Sequence, residues 1–275
     1  MKAGFMARHA PVAVLIFMAA WHAGIASADE LPAPTTSRQV AASLLSGMAD
    51  YLAGLAAFRV RLIASYDAPQ SSGEKIEFNE VRQVTLSRPN LLRVEQRTSD
   101  GTSDLLLFDG REIVIFDSGQ GVYAKAPQPG SIDEAVVYFV RDLGMRLPLA
   151  AMLSTRLPEE LSQRVKSMEY VEYTEIFGAP AHHIAARGNT VDMQVWIADG
   201  ERPLPLRIVL TYKTEPGLPQ FRAQFVDWDW KPATDPRSFR FVPPPGARQV
   251  VFAVQGPPVV TDPGVGAMEA AGGSP

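Results

Sequence analysis

The adjacent histidines His182 and His183 are the first residues to weigh for chemistry, and they are the only histidines after residue 28. In an extended strand, neighbouring side chains point to opposite faces. The pair therefore cannot readily close on one metal ion, and the reading for each is a hydrogen-bonded sheet histidine. No nucleophile falls at a spacing that sets it beside them. Asp227 and Asp229 lie two apart and are expected on one strand face. Two such carboxylates suit acid/base work or calcium, but strand-end carboxylates facing water explain them equally well, and Asp192 with Gln194 has the same standing. Trp196, Trp228 and Trp230 sit near strand ends, where they either line a groove or pack. Arg59, Arg61, Arg82 and Arg93 read as scattered members of a solvated face. There is no Gly-rich phosphate loop, GxSxG elbow or HExxH helix. The absence of cysteine removes disulfides, thiol nucleophiles and Cys-based metal sites. The expectation is no catalytic residue, no metal and no cofactor.

The elements that would position these residues follow from periodicity. Val40, Leu44, Met48, Tyr51 and Leu55 recur at helical spacing, with Ser37 as the expected cap. From Phe58 the period becomes two: Phe58, Val60, Leu62, Ala64 and Tyr66 alternate with polar residues. Further strands are expected over 76–86 and 91–97; in the first, Ile76 and Phe78 lie in phase with Val84 and Leu86 while Glu80 and Arg82 sit between them. Leu105–Phe108 and Ile113–Phe116 flank Asp109-Gly110 and read as a hairpin with a two-residue turn. Both arms are apolar on both faces, so this hairpin should be covered on each side. After a helical middle, strands resume at 165–177, 182–187, 191–197, 204–212 and 221–230, with shorter ones at 239–241 and 250–252. One helix, about six strands, two or three helices and five or six more strands give an α+β fold: a curved, incompletely closed antiparallel sheet of about 11 strands, a half-barrel whose concave face carries the N-terminal helix and the central insert. A single domain over 38–254 is expected, preceded by an extended lead-in over 29–37 and followed by a disordered Gly/Pro/Ala tail over 255–275.

The central insert is the unusual feature. Ser131 and Glu134 form a capping-box pattern, Gly144 is placed to end the helix, and Pro148 opens a second short one. Between the caps, Ala135 to Val140 leave almost no polar face, whereas a helix that merely covers a sheet needs one apolar stripe. An all-apolar insert over an open sheet either encloses an apolar cavity or plugs it. If a cavity forms, the insert side would contribute Val136, Phe139, Val140, Met145, Leu149, Met152 and Leu153. The strand side would contribute Val195, Ile197, Leu206, Ile208 and Leu210.

The N-terminus carries Lys2 and Arg8, then an apolar run from Pro11 to Ala20, then Ala26-Ser27-Ala28. That is the layout of a secretory signal peptide, residues 1–28, with cleavage after Ala28 and a periplasmic destination. The run is too short for a membrane span, which needs about 20 apolar residues. The whole chain has 275 residues, with 26 Lys+Arg against 30 Asp+Glu. The 247 residues after Ala28 carry 24 basic and 30 acidic side chains, a net charge of about −6. Such a chain offers no counterion-releasing basic patch, so nucleic acid is not an expected partner.

Three segments carry a family resemblance. Arg88-Pro89-Asn90-Leu91-Leu92-Arg93-Val94 looks like an "RP…LR" strand start. Met193-Gln194-Val195-Trp196-Ile197 with Pro203-Leu204-Pro205-Leu206-Arg207 looks like a "VWID…LPLR" hairpin. Phe239-Arg240-Phe241-Val242-Pro243-Pro244-Pro245-Gly246 looks like an "F-x-F-x-x-P-x-G" closing strand. In this order they resemble the periplasmic lipoprotein-carrier fold of LolA, LolB and RseB, across roughly residues 38 to 250. Asp50-Tyr51-Leu52, Leu107-Phe108-Asp109-Gly110 and Gln220-Phe221-Arg222-Ala223-Gln224 are similar to stretches of a family of predicted bacterial periplasmic proteins, a domain of unknown function. The resemblance implies a helical lid over an apolar concavity that takes a lipid or lipoprotein acyl chain, in a carrier or chaperone without catalysis. Its alternative implication is an RseB-like envelope sensor whose partner is a protein.

Overall fold

The computed structural model describes residues 36–141 and 149–251. The expected signal segment and most of the lead-in, Gly144, Met145 and Pro148 of the insert, and the expected tail lie outside the described residues.

Helix α1 (Ser37–Gly54) begins at a capping box, but its cap is Thr36 and not Ser37. Gln39 falls three residues after Thr36: its N–H donates to Thr36 Oγ1 at 3.2 Å, and its own Oε1 accepts from Thr36 N at 2.8 Å. The Ser37 hydroxyl instead bridges the backbone N–H and C=O of Tyr170, at 3.0 and 3.1 Å. The buried seam of α1 is Ala41, Leu45, Met48, Ala49 and Leu52, turned from the expected one toward the alanines. Two fully buried alanines let the helix backbone approach the sheet closely, which larger residues would prevent.

Six strands follow: β1 (Ala57–Pro69), β2 (Lys75–Ser87), β3 (Leu91–Thr98), β4 (Ser103–Phe108), β5 (Glu112–Asp117) and β6 (Val122–Pro127). The insert comprises α2 (Ile132–Arg141), a 3-10 turn (Ala150–Leu153) and α3 (Leu157–Arg164). Then come β7 (Val165–Ile176), β8 (Ala179–Gly188), β9 (Val191–Ala198), β10 (Pro205–Tyr212), β11 (Gln220–Asp229), a 3-10 turn (Pro236–Phe239) and β12 (Arg248–Val250).

All twelve strands form one sheet, in the order β12-β6-β5-β4-β3-β2-β1-β11-β10-β9-β8-β7. The first six run outward from the centre; β7 to β11 start at the far edge and return. The insert is the link between β6 near one edge and β7 at the other, so it must traverse the sheet, and it does so across the concave face. Edges β12 and β7 do not pair with each other, and the sheet stays open.

Three local readings change. The last pair of the Asp109-Gly110 hairpin is Phe108–Ile113, which leaves a four-residue loop, Asp109 to Glu112, in which Asp109 Oδ1 accepts from the N–H groups of both Arg111 and Glu112. The Phe239–Phe241 segment is not a strand. Asp235 caps a 3-10 turn that starts at Pro236, its carboxylate accepting from Arg237 N–H at 2.9 Å. The last strand is Arg248–Val250, and it pairs parallel to β6 in an otherwise antiparallel sheet. This C-terminal segment covers the convex side of the β3–β6 half. Arg93 donates to Ser238 O at 2.8 Å, and the Phe241 ring packs on Phe116 and Tyr123 with centroids 5.7 and 5.1 Å away. Both faces of the β4–β5 hairpin are thereby buried, with Leu106, Phe108 and Ile113 inward and Leu107 and Val114 outward.

Candidate functional site

Cross-strand register lays three rows of side chains on the concave face of the β1–β6 half. The deepest is Phe58, Leu86, Leu92, Phe108 and Ile113, none more than 3% exposed. Two residues along each strand, about 7 Å away, lies a middle row of Val60, Val84, Val94, Leu106 and Ile115. One further step gives Leu62, Arg82, Gln96, Asp104 and Asp117, where the face turns polar. Arg82 is thus not on a solvated face as its type implied. It keeps the inward phase of Val84 and Leu86, and its Nη2 lies 2.6 Å from Oε1 of Glu80, whose side chain is 3% exposed. Burial raises the Glu80 carboxyl above its ordinary value against the pull of Arg82.

Helix α2 lies over this face. Its capping box is present: Glu134 Oε2 accepts from Ser131 N at 2.7 Å, and Ser131 Oγ accepts from Glu134 N. Ile132, Ala135, Val136 and Phe139 are buried, while Val137 and Val140 are 43% and 51% exposed. The helix therefore buries one stripe and leaves a second apolar stripe half-exposed. Two side chains fasten the insert. Arg88 Nε donates to Leu55 O at 3.0 Å and its Nη1 to Leu153 O at 2.9 Å, joining the end of α1 to the 3-10 turn. Asp133 accepts from Thr155 N at 2.9 Å and from the Thr155 hydroxyl. Burial opposes the Asp133 charge, but the hydrogen bonds from Thr155 and Ser154 outweigh it and hold the carboxyl below its ordinary range.

Two cavities flank the insert. The larger, about 690 Å³, lies between α2, α3 and the β8–β10 half, with Met48, Val137, Val140, Met193 and Leu210 on its walls. The second, about 420 Å³, lies between the insert and the three rows of the β1–β5 half, under Phe139 and Leu153. Val136, Leu149, Ala150 and Met152 line both and form the partition between them. Leu149 holds a left-handed backbone, φ 69°, in that partition.

Among the residues expected to contact a ligand, Val136, Leu149 and Met152 face both cavities, Phe139 and Leu153 the second, and Val140, Ile208 and Leu210 the first. Val195 and Ile197 are fully buried in the core and line neither cavity; half-buried Leu206 lines neither. Met145 is outside the described residues. The polar row Arg82, Gln96, Asp104 and Asp117 went unforeseen. Its signal was available: four polar residues that continue the inward phase of four neighbouring strands.

Trp228 joins the wall of the second cavity, whereas His182, His183, Asp227 and Asp229 line neither. His182 and His183 point to opposite faces. His182 Nδ1 is 3.2 Å from the Tyr170 hydroxyl and its Nε2 3.3 Å from Asp199, which also accepts from the Tyr173 hydroxyl at 3.0 Å. The Tyr173 and His182 hydrogen bonds lower the Asp199 carboxyl. His183 stacks on Trp196, centroids 4.0 Å apart, and meets Gln194 at 3.2 Å. Asp227 and Asp229 do not share a face, because the strand is irregular between the pairs Arg59–Asp229 and Arg61–Val226 and Asp227 has φ 55°. Among the described residues no group of three His, Cys, Asp or Glu could hold a metal ion, and no helix is long and apolar enough to cross a membrane.

Sheet, insert and cavities define an α+β protein with an open sheet of twelve strands and an apolar hollow beneath a helical crossover. Residues 41–253 match the family described as "Predicted periplasmic protein (DUF2092)", and the chain belongs to that family. No protein in the curated set matches the sequence. Among solved structures, the chain is similar to LprF from Mycobacterium bovis, with 11% identity over 72% of this chain and 97% of that one, TM-score 0.46. An uncharacterized conserved protein from Thermus thermophilus is similar at 13% identity over 78% and 99%, TM-score 0.44. A LolA superfamily protein from Nitrosomonas europaea follows at 13% over 73% and 97%, TM-score 0.36. Likeness of this degree does not transfer a ligand or a partner.

Proposed function

We propose that this is a periplasmic binding protein, exported by cleavage after Ala28, that carries a lipid or acyl chain in the hollow between sheet and insert, without covalent chemistry. The observation that supports this reading is the pair of apolar cavities meeting at Leu149, Ala150 and Met152. Their sizes fall in the range of ligand sites, about 300–1,000 Å³. Each methylene moved from water into such a space contributes about 0.8 kcal/mol, so a medium-length chain suffices for stable retention. Val137 and Val140 offer the same chain an apolar path from solvent along α2.

Mass spectrometry of the protein released from the periplasm under mild conditions, followed by solvent extraction, tests the reading. The expected result is a co-purifying lipid that the Met152→Asp variant fails to retain. Met152 is half-buried, so its replacement leaves the core intact, whereas Phe139, 1% exposed, cannot be charged without unfolding risk. Equal retention by Met152→Asp, or a stoichiometric protein partner with no lipid, overturns the carrier reading.

A further inference from the structure

The second cavity has a polar end, and its chemistry selects among amphiphiles. This step rests on the carrier reading above. Arg82, Gln96, Asp104 and Asp117 lie directly opposite one another on β2 to β5 and all line the cavity, one strand step outward from Val84, Val94, Leu106 and Ile115. Two buried polar atoms of this row have no hydrogen-bond partner: Arg82 Nε and Asp104 Oδ1. Buried polar groups are ordinarily satisfied, and each exception calls for a reason. Among the described residues Arg82 is the one cation lining the cavity, and its Nη2 already serves Glu80. That leaves Asp104 directly across from Asp117 with no described cation between them. Like charges so placed in a sheet repel, and burial together with the Asp117 charge raises the Asp104 carboxyl. Asp117 keeps one oxygen on Gln120 N–H at 2.9 Å.

We propose that this cavity takes a single-chain amphiphile head outward, with its chain along the middle row beneath Phe139 and Met152. Its head is an uncharged or cationic hydrogen-bond donor held between Asp104 and Asp117. An ammonium head answers both defects at once: it satisfies Asp104 Oδ1 and separates two facing carboxylates. A hydroxyl head satisfies the oxygen alone. A carboxylate or phosphate head would meet Arg82 Nε, but the charge of that guanidinium is already balanced by Glu80, and the head sets a third negative charge beside Asp104 and Asp117, so it is disfavoured.

Displacement of the fluorescent probe N-phenyl-1-naphthylamine by decylamine, 1-decanol and decanoate, at pH 7 and below their micelle concentrations, tests the assignment. Charge-assisted hydrogen bonds exceed neutral ones in strength, so decylamine is expected to displace the probe at roughly tenfold lower concentration than decanoate, with decanol between them. In Asp104→Asn and Asp117→Asn, each conserving volume, that preference should shrink several-fold, with every ratio corrected for the variant's own probe affinity. Decanoate matching decylamine on the unmodified protein overturns the head assignment, as does a preference unchanged in both variants, and either leaves the cavity reading intact. Failure of the probe to bind the unmodified protein, or equal binding by Met152→Asp, overturns the cavity reading and this inference with it.

Discussion

Phe225 and Trp228 stack on the concave face, centroids 5.9 Å apart and rings within 9° of parallel, although they stand three positions apart in the chain. In a regular strand an odd separation places side chains on opposite faces. Asp227 resolves the conflict. It sits in the left-handed region at φ 55°, where register with β1 shifts, and so returns Trp228 to the side of Phe225. Trp228 then reaches the Phe58 ring at 5.6 Å, donates to Pro205 O at 3.2 Å, and joins the wall of the second cavity. The left-handed conformation costs an ordinary residue about 1–2 kcal/mol, less for Asp, and costs Gly little. Asp227→Gly is therefore expected to leave urea stability near its original value, while Asp227→Val lowers it by about 1–2 kcal/mol. Deleting residue 227 should abolish the near-ultraviolet signal of the stacked pair.

Arg88 bonds two carbonyls that belong to different parts of the chain, Leu55 after α1 and Leu153 in the insert. Burial works against its charge and lowers its pKa, offset by Asp133. Each charged hydrogen bond contributes about 1.5–3 kcal/mol when its partner is otherwise unmet. Arg88→Met keeps much of the apolar stem and removes both donors. Urea unfolding should show a loss of about 2–3 kcal/mol. Hydrogen exchange should show faster opening of residues 150–164 than of β1 to β3, because the lost bonds hold the insert and not the sheet.

The Asp133–Thr155 contact gives the insert a dependence on pH of known sign. The folded carboxyl sits below its ordinary value, so protons bind more weakly in the folded state than in the unfolded one. Its contribution is fully present above the unfolded value of about 3.9 and is lost as pH falls through the lower folded value. Hydrogen-exchange protection of the insert should therefore fall as pH drops below about 4. Asp133→Asn should lack that component of the acid response. A profile identical to that of the unmodified protein would refute the assignment.

The sheet was legible because its strands obey a two-residue period, and the insert because Ser131 and Glu134 cap the start of a helix whose apolar residues exceed one stripe. What escaped was every feature that depends on a break in the period. Nothing before Asp227 announces that the strand will change face there, so Asp227 and Asp229 read as a pair and Trp228 as one aromatic among several. Pro236 after Asp235 favours a tight turn, which overrides the alternation of Phe239 and Phe241. Val195 and Ile197 have the right phase for a cavity wall, yet α1 packs over that stretch of β9 and buries them in the core. Phase tells which face a residue joins; how near a helix lies to that face depends on alanines such as Ala41 and Ala49, whose small size carries no periodic signal of its own.

Leu149 combines backbone strain with a place in the partition between the cavities, and the two contributions separate by mutation. A leucine at φ 69° is held against its preference, as occurs where surrounding structure dictates the conformation. Leu149→Ala removes the half-buried side chain and keeps the left-handed penalty. Leu149→Gly removes the same contacts, but tolerates the positive φ. Glycine's greater freedom in the unfolded chain offsets part of the relief, by about 0.5–1 kcal/mol. Leu149→Gly should thus equal or exceed Leu149→Ala in urea stability, by up to about 1 kcal/mol, reversing the usual order of these residues. Both variants open the partition, since the side chain lines the two cavities. Both should consequently admit a longer alkyl chain than the unmodified protein, read as a shift of the tightest-binding alkylamine toward greater length. An alanine variant clearly more stable than the glycine variant would show that residue 149 is not left-handed in solution.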